Sequence, residues 1–185
     1  MSESRWDSEP VWVDRKEKER EAKHQKFVNE IRNAEAKAGI SMYDAYHGPS
    51  DTTIRHLLSL AQKAAEYSYS PYSKFPVGAA VLGNNGRTYQ GCNVENASYG
   101  LAICAERVAL FSAIADGVTS IEMLAVCCAA GNPREPSTLM PCGACRQVMQ
   151  EFMSPEGIVS VDGVGIFALR DLLPTPFYLP INGQG

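Results

Sequence analysis

The 185-residue chain has no basic excess, no long apolar run and no regular cysteine framework, and each absence removes a class of protein. Its formal net charge of −4 argues against a nucleic-acid surface, which shows as a basic patch or stripe that neutralises phosphates. No nucleic-acid partner is expected. No apolar stretch approaches the roughly 20 residues needed to span a bilayer, so no membrane is expected either. A secretory hydrophobic region is missing, and the six cysteines are not spaced as a disulfide scaffold. They are therefore expected as reduced thiols in a cytoplasmic setting. Internal repeats are absent too. What remains is a chain with room for one domain, at roughly 100 to 200 residues per domain, acting on a small, diffusible substrate.

Residues 1–50 differ in character from the rest of the chain: they hold more than half of the lysines and arginines, nearly half of the acids and both tryptophans. The run DRKEKEREAKHQKFVNEIRNAEAK is dense in helix formers and alternates charge at spacings that allow i,i+4 pairs. It reads as a charged N-terminal extension, helical over 14–38, with Phe27, Val28, Ile31 and Ala34 as a thin apolar stripe. A charged arm without fixed structure is the alternative. Its acidity argues against an organelle transit peptide. Gly48-Pro49-Ser50-Asp51 reads as a hinge, after which a catalytic domain is expected over 51–185.

Within that domain, Ile54, Leu57, Leu58, Ala61 and Ala65 predict an amphipathic helix from Thr52 to about Tyr69. A proline-punctuated aromatic loop, YSYSPYSKFP, comes next. Strands are expected at Val77–Leu82 and Thr88–Asn93, joined by the hairpin signal Asn84-Asn85-Gly86. The apolar run Met123–Ala130 suits a strand buried on both faces. Short strands are expected at Ile158–Val161 and Val164–Ala168. The order predicts an α/β protein of three layers, with a mixed five-stranded sheet between helices.

Chemistry concentrates in two stretches, Cys104-Ala105-Glu106-Arg107 and Pro141-Cys142-Gly143-Ala144-Cys145. Each is expected to open an amphipathic helix, the first through Cys104, Val108, Phe111 and Ala115, the second through Cys145, Val148, Met149 and Phe152. A helix start favours thiolate over thiol. Three thiolates so placed hold Zn2+ and leave its fourth tetrahedral position open, the mark of a catalytic rather than a structural site. Glu106 beside that position is a candidate to carry protons between water, substrate and leaving group. A Cys-x-x-Cys alone also serves redox or structural zinc sites, but redox chemistry has no use for Cys104 or Glu106. Cys92, Cys127 and Cys128 lie in strand-like apolar runs, where a thiol is more often a small core residue than a fourth ligand.

The blocks SPYSKFPVGAAVL, GCNVENASYGLAICAERVALFSA and PCGACRQVM resemble the cytidine deaminases, in their small homotetrameric, three-cysteine form, over about residues 52–177. The pattern of a metal ligand, a non-ligand Glu and a later Pro-Cys-x-x-Cys is the zinc deaminase signature. The resemblance implies the three-layer α/β/α fold and one Zn2+ per chain, held by Cys104, Cys142 and Cys145. It implies Glu106 as the proton shuttle for adding water at C4 of cytosine and expelling ammonia. It further implies Ala105 holding the pyrimidine through its backbone, Phe75 packing beside the nucleoside, and Asn93 and Glu95 gripping the ribose hydroxyls.

Arg107 would offset the thiolate charge, and Arg146 is a second candidate for that task. Phe177 stands where the family places a lid reaching a neighbouring subunit, followed here by an altered tail, Tyr178-Leu179-Pro180-Ile181. Tyr99 fits either the site wall or a subunit contact. The expected activity is deamination of cytidine and 2′-deoxycytidine for pyrimidine salvage, in a homotetramer. The alternative is the same reaction on a modified cytosine nucleoside, such as a blasticidin S-type antibiotic; polynucleotide editing lacks the basic groove it would need.

Overall fold

The computed structural model describes residues 51–179; the expected helix at 14–38, the hinge at 48–50 and the tail from Pro180 lie outside them. Helix α1 (Asp51–Ala65) is followed by strands β1 (Val77–Gly83) and β2 (Thr88–Cys92), helix α2 (Ala105–Ala115) and strand β3 (Ile121–Cys128). Helix α3 (Gly143–Phe152), strands β4 (Met153–Val161) and β5 (Gly165–Ala168) and the short helix α4 (Leu169–Leu172) complete the order. Five strands form one sheet in the order β2-β1-β3-β4-β5, antiparallel except for the parallel β3–β4 pair, which α3 connects. It is the mixed sheet expected from the element order. Among the described residues no helix is long and apolar enough to cross a membrane.

Side-chain alternation assigns the layers. Gly78 and its register partner Cys127 face α1, which lies so close that a Cβ on Gly78 would strike the Ala61 carbonyl and the Ala65 amide. Ala79, Val81, Leu124, Val126, Val159 and Val161 point the other way, into one core with Ala105, Ala109 and Leu110 of α2 and Cys145 and Met149 of α3. The sheet is thus covered on both faces. β3, at its centre, is buried along nearly its whole length, which is why its sequence is a continuous apolar run. A fully buried leucine such as Leu57 or Leu110 contributes about 2 kcal/mol. The hairpin between β1 and β2 turns through Gly86, whose φ of 74° is the left-handed conformation that glycine adopts without steric cost.

β4 begins at Met153, five residues before the expected Ile158, β3 ends at Cys128 and not Ala130, and two further expectations are corrected. α1 ends at Ala65, four residues before Tyr69, because the chain there leaves the helix to pair. The Tyr69 amide donates to the Asn93 carbonyl (3.0 Å), and the Glu95 amide donates to the Tyr69 carbonyl (2.8 Å). The second correction is the inward face of α2. Ala105, Glu106, Ala109, Leu110 and Ala113 are buried, whereas Phe111 is 47 % exposed and Ala115 lies on the surface. The cause is β2: Gly91 lets the Ala105–Ala109 turn press against the strand, and a Cβ there would meet the Ala105 carbonyl and the Ala109 amide. So close a contact selects small side chains, and the larger Phe111 faces outward.

Candidate active site

Both cysteine motifs start helices. Cys104 caps the N-terminus of α2, its carbonyl accepting the amides of Arg107 (3.1 Å) and Val108 (3.2 Å). Cys142 caps α3 in the same way, and Cys145 lies in its first turn. α2 and α3 pack in one core, so the two starts converge. The sulfur of Cys142 is 3.9 Å from that of Cys104 and 3.5 Å from that of Cys145, and all three lie within 4.8 Å of one another. A tetrahedral zinc with bonds near 2.3 Å requires sulfurs about 3.8 Å apart. The donor set and its spacing therefore fit zinc. Among the described residues it is the single such cluster, and Cys92, Cys127 and Cys128 stand apart from it, with their sulfurs on the Tyr67 carbonyl, the Asp162 carboxylate and the Leu139 carbonyl.

The electrostatics prepare the cluster for a cation. Hydrogen bonding with the Cys145 thiol, joined by the Arg107 guanidinium and the Cys142 thiol, pulls Cys104 down to about 5. Cys145 is pushed up, first by that same bond to Cys104 and then by burial. Cys104 is thus the ready thiolate, and a divalent ion would displace the proton of Cys145. Arg107 donates to the Cys104 sulfur (3.6 Å) and to the Ala102 carbonyl (3.4 Å). Arg146, the second candidate, has other partners. Its Nε donates to the Pro141 carbonyl (2.7 Å) and its Nη1 to the Leu172 carbonyl (2.9 Å).

Glu106 is 4 % exposed and opens into the cavity beside the thiols. Burial, with the Cys104 charge adding to it, raises its carboxyl above the usual range. The cavity measures about 250 Å3 and is lined by Phe75, Asn93, Glu95, Cys104, Ala105, Glu106 and Cys142 among others. A larger, open depression of about 770 Å3 beside the start of α1 has neither thiol nor carboxylate in its lining and offers no comparable chemistry.

Phe75 before β1 and Asn93 and Glu95 just after β2 form another wall, and its hydrogen bonds show how the polar residues are held. The Asn93 Oδ1 accepts from the Ser68 hydroxyl and the Val77 amide (2.9 Å), while its Nδ2 donates to the Phe75 carbonyl (2.9 Å). One N–H of the amide is left. The Glu95 Oε2 accepts the amides of Tyr72 (2.9 Å) and Ser73 (3.2 Å). The Ser73 hydroxyl above all, then these amides and the Lys74 charge, hold the Glu95 carboxyl below its usual range. Ser68 and Ser73 give no signal in the sequence because their partners lie 25 and 22 residues away.

Phe177 is not in the wall of this cavity: its ring is 67 % exposed, and its backbone is held at both N–H and C=O by the Gln147 side-chain amide (3.1 and 2.8 Å). Tyr99 is 77 % exposed and packs edge-on against Tyr72, outside the cavity.

Residues 51–161, more than half of the chain, match the family described as the cytidine and deoxycytidylate deaminase zinc-binding region. The chain belongs to that family. A cytidine deaminase of Sporosarcina psychrophila is 50 % identical over 99 residues, covering 54 % of this chain and 69 % of that protein. One from Mycobacterium tuberculosis is 44 % identical over 119 residues, covering 64 % and 85 %. The crystal structure of the cytidine deaminase from Burkholderia pseudomallei superposes with a TM-score of 0.60 at 45 % identity, over 66 % of this chain and 98 % of that one. The Mycobacterium tuberculosis structure gives 0.62 at 40 % identity, over 71 % and 100 %. The five-stranded sheet is therefore that of a zinc deaminase domain, and the three-thiol cluster lies inside the matched zinc-binding region.

Proposed function

We propose that the protein is a zinc-dependent cytidine deaminase, converting cytidine and 2′-deoxycytidine to the uridines with release of ammonia. The observation that carries this reading is the shared cavity: a buried carboxyl beside three clustered thiols, with the Glu95 carboxylate and the Asn93 carboxamide in the same lining. Cys104, Cys142 and Cys145 hold one Zn2+. When bound, the metal supplies the Lewis acidity that lowers the pKa of a water toward neutrality. Glu106 takes a proton from water as its oxygen adds to C4 and gives it to N3 of the cytosine ring, then takes the second proton from the C4 hydroxyl and passes it to the amine, which leaves as ammonia while C4=O forms; its raised pKa suits a group that must both take and give at neutral pH. Arg107 offsets thiolate charge, which would otherwise add to the negative charge of the site.

At the sugar end, Asn93 has only a donor to offer and Glu95 only an acceptor. A ribose hydroxyl is complementary to both, accepting from Nδ2 of Asn93 and donating to the Glu95 carboxylate. Phe75 packs beside the nucleoside, and the Ala105 backbone at the start of α2 holds the base. The small cavity suits a single nucleoside.

Function in a homotetramer is part of the proposal. Phe111, Tyr99 and Leu101 are large apolar side chains left on the surface of one chain, and Phe177 presents its ring outward as a lid for a neighbour's cavity. A cytoplasmic setting keeps the thiols reduced; all six cysteines are free.

A panel of cytidine, 2′-deoxycytidine, deoxycytidine monophosphate and blasticidin S, assayed for ammonia, tests the substrate. Turnover is expected on the two nucleosides, with the monophosphate and the antibiotic poor. Preference for either of the latter would overturn the substrate assignment.

A further inference from the structure

The three thiols are not equally supported. Cys145 is fully buried in the core and Cys104 is half-buried at the start of α2, but Cys142 is exposed and lies in the turn that enters α3. Core packing holds Cys104 and Cys145 directly and reaches Cys142 only through the buried Pro141 before it. The turn is also tied by the guanidinium of Arg146, one residue past Cys145. Its Nε donates to the carbonyl of Pro141, the residue that immediately precedes Cys142, and its Nη1 donates to the carbonyl of Leu172 at the end of α4. A guanidinium is a planar fork with donors at fixed separation, so two carbonyls bound to it are held at a set distance from one another. Leu172 in turn begins the segment that α3 carries along its side: Gln147 grips the Phe177 backbone, and Gln150 donates to the Tyr178 hydroxyl (2.6 Å). One side chain thus joins the ligand turn to the C-terminal segment.

We propose that Arg146 is a positioning residue for the metal site: a strut between the Pro141 and Leu172 carbonyls that holds the Cys142 turn ready for zinc and links metal occupancy to docking of residues 173–178. The inference rests on the zinc reading above. Outer partners that orient metal ligands cost about ten- to a hundredfold in affinity when removed. If two sites are linked, each must also report on the other.

The test measures zinc affinity of the full chain by competition with a chromophoric chelator, together with hydrogen exchange of the 173–178 amides. Wild type is measured first; absence of zinc binding there would sink the zinc reading itself, separately from the strut. Arg146→Lys keeps the charge but has one nitrogen, which cannot span both carbonyls, and Arg146→Gln removes the charge as well. Both are expected to bind zinc at least about tenfold more weakly. Leu172→Ala keeps the backbone carbonyl while losing buried side-chain contacts, and is expected to lower Tm yet keep zinc affinity within about twofold, since it leaves the strut intact. In wild type, zinc is expected to slow exchange of the Phe177 amide, and Arg146→Lys to shrink that response. The strut is refuted by unchanged affinity in Arg146→Lys, by an equal loss in Leu172→Ala, or by a Phe177 amide indifferent to zinc in wild type. The last arm decides even if both Arg146 variants fail to fold.

Discussion

Replacing Glu106 by glutamine isolates the proton-carrying role. The amide has nearly the volume of the acid, so α2 and the cavity are expected to keep their shape; Glu106 sits 4 % exposed among well-packed neighbours, and no atom is added or removed beyond the exchange of oxygen for nitrogen. The glutamine cannot accept a proton from water or pass one to a ring nitrogen. General acid–base assistance is worth about 10²- to 10⁴-fold in rate, and this residue is asked to move protons more than once in a turnover, so the upper end applies. A loss near 10⁴ corresponds to about 5 kcal/mol of barrier. The assay is steady-state cytidine turnover on protein of verified zinc content, alongside direct nucleoside binding. Expected are a kcat reduced by about 10³- to 10⁴-fold, a zinc content equal to wild type, and retained nucleoside binding. A kcat within about tenfold of wild type, with zinc still bound, would refute the assignment of the shuttle.

Other perturbations separate metal, sugar and scaffold. Cys142→Ala removes one of three clustered sulfurs, so zinc content measured by elemental analysis should fall well below one per chain and Tm should drop with it, because binding energy in such sites is also folding energy. Glu95→Gln should raise KM for cytidine by about ten- to a hundredfold with a smaller effect on kcat, the worth of a hydrogen bond to a charged group. The sign of the pH effect comes from the direction of the Glu95 shift. A carboxyl held below its usual value stays ionised above that value and loses its interactions only as pH falls through the lowered one, so KM should stay flat from neutral pH down to about pH 5. Gly91→Ala should destabilise by about 1–3 kcal/mol, read as a lower denaturant midpoint, because the new methyl meets α2 backbone. With Cys127 pushed up to about 12 and Cys128 to about 11 by burial, both thiols should alkylate slowly at neutral pH in mass-spectrometric labelling of the native protein.

The parts of this molecule that are legible in the sequence are those where chemistry and local geometry coincide. Cys104, Cys142 and Cys145 can be grouped from motif alone because a helix start both exposes amides and favours thiolate, and the structure brings all three together at two helix N-termini. The central strand is legible because burial on both faces leaves no polar alternation to misread. The inward face of α2 is not. Spacing arguments weigh large apolar side chains most, yet the approach of Gly91 selects alanines and turns Phe111 out to the surface. Nor is the occupation of Asn93, whose carboxamide braces a loop through Ser68, Phe75 and Val77 before any substrate arrives. Arg146 misleads for a related reason: adjacency to a ligand in sequence suggests sulfur, whereas the side chain spans two carbonyls, one of them 26 residues further along the chain. Partners distant in sequence leave no local trace.

The central claim is that the buried carboxyl and the three-thiol zinc site act together on a cytosine nucleoside. The most direct measurement tracks uridine and ammonia simultaneously, from cytidine, with protein whose zinc content has been determined. The account expects the two products to appear in equal amounts, at a rate proportional to the zinc-loaded fraction and abolished by stripping the metal. Zinc-loaded protein that leaves cytidine and 2′-deoxycytidine unchanged, or turnover that persists undiminished after the metal is removed, would contradict it.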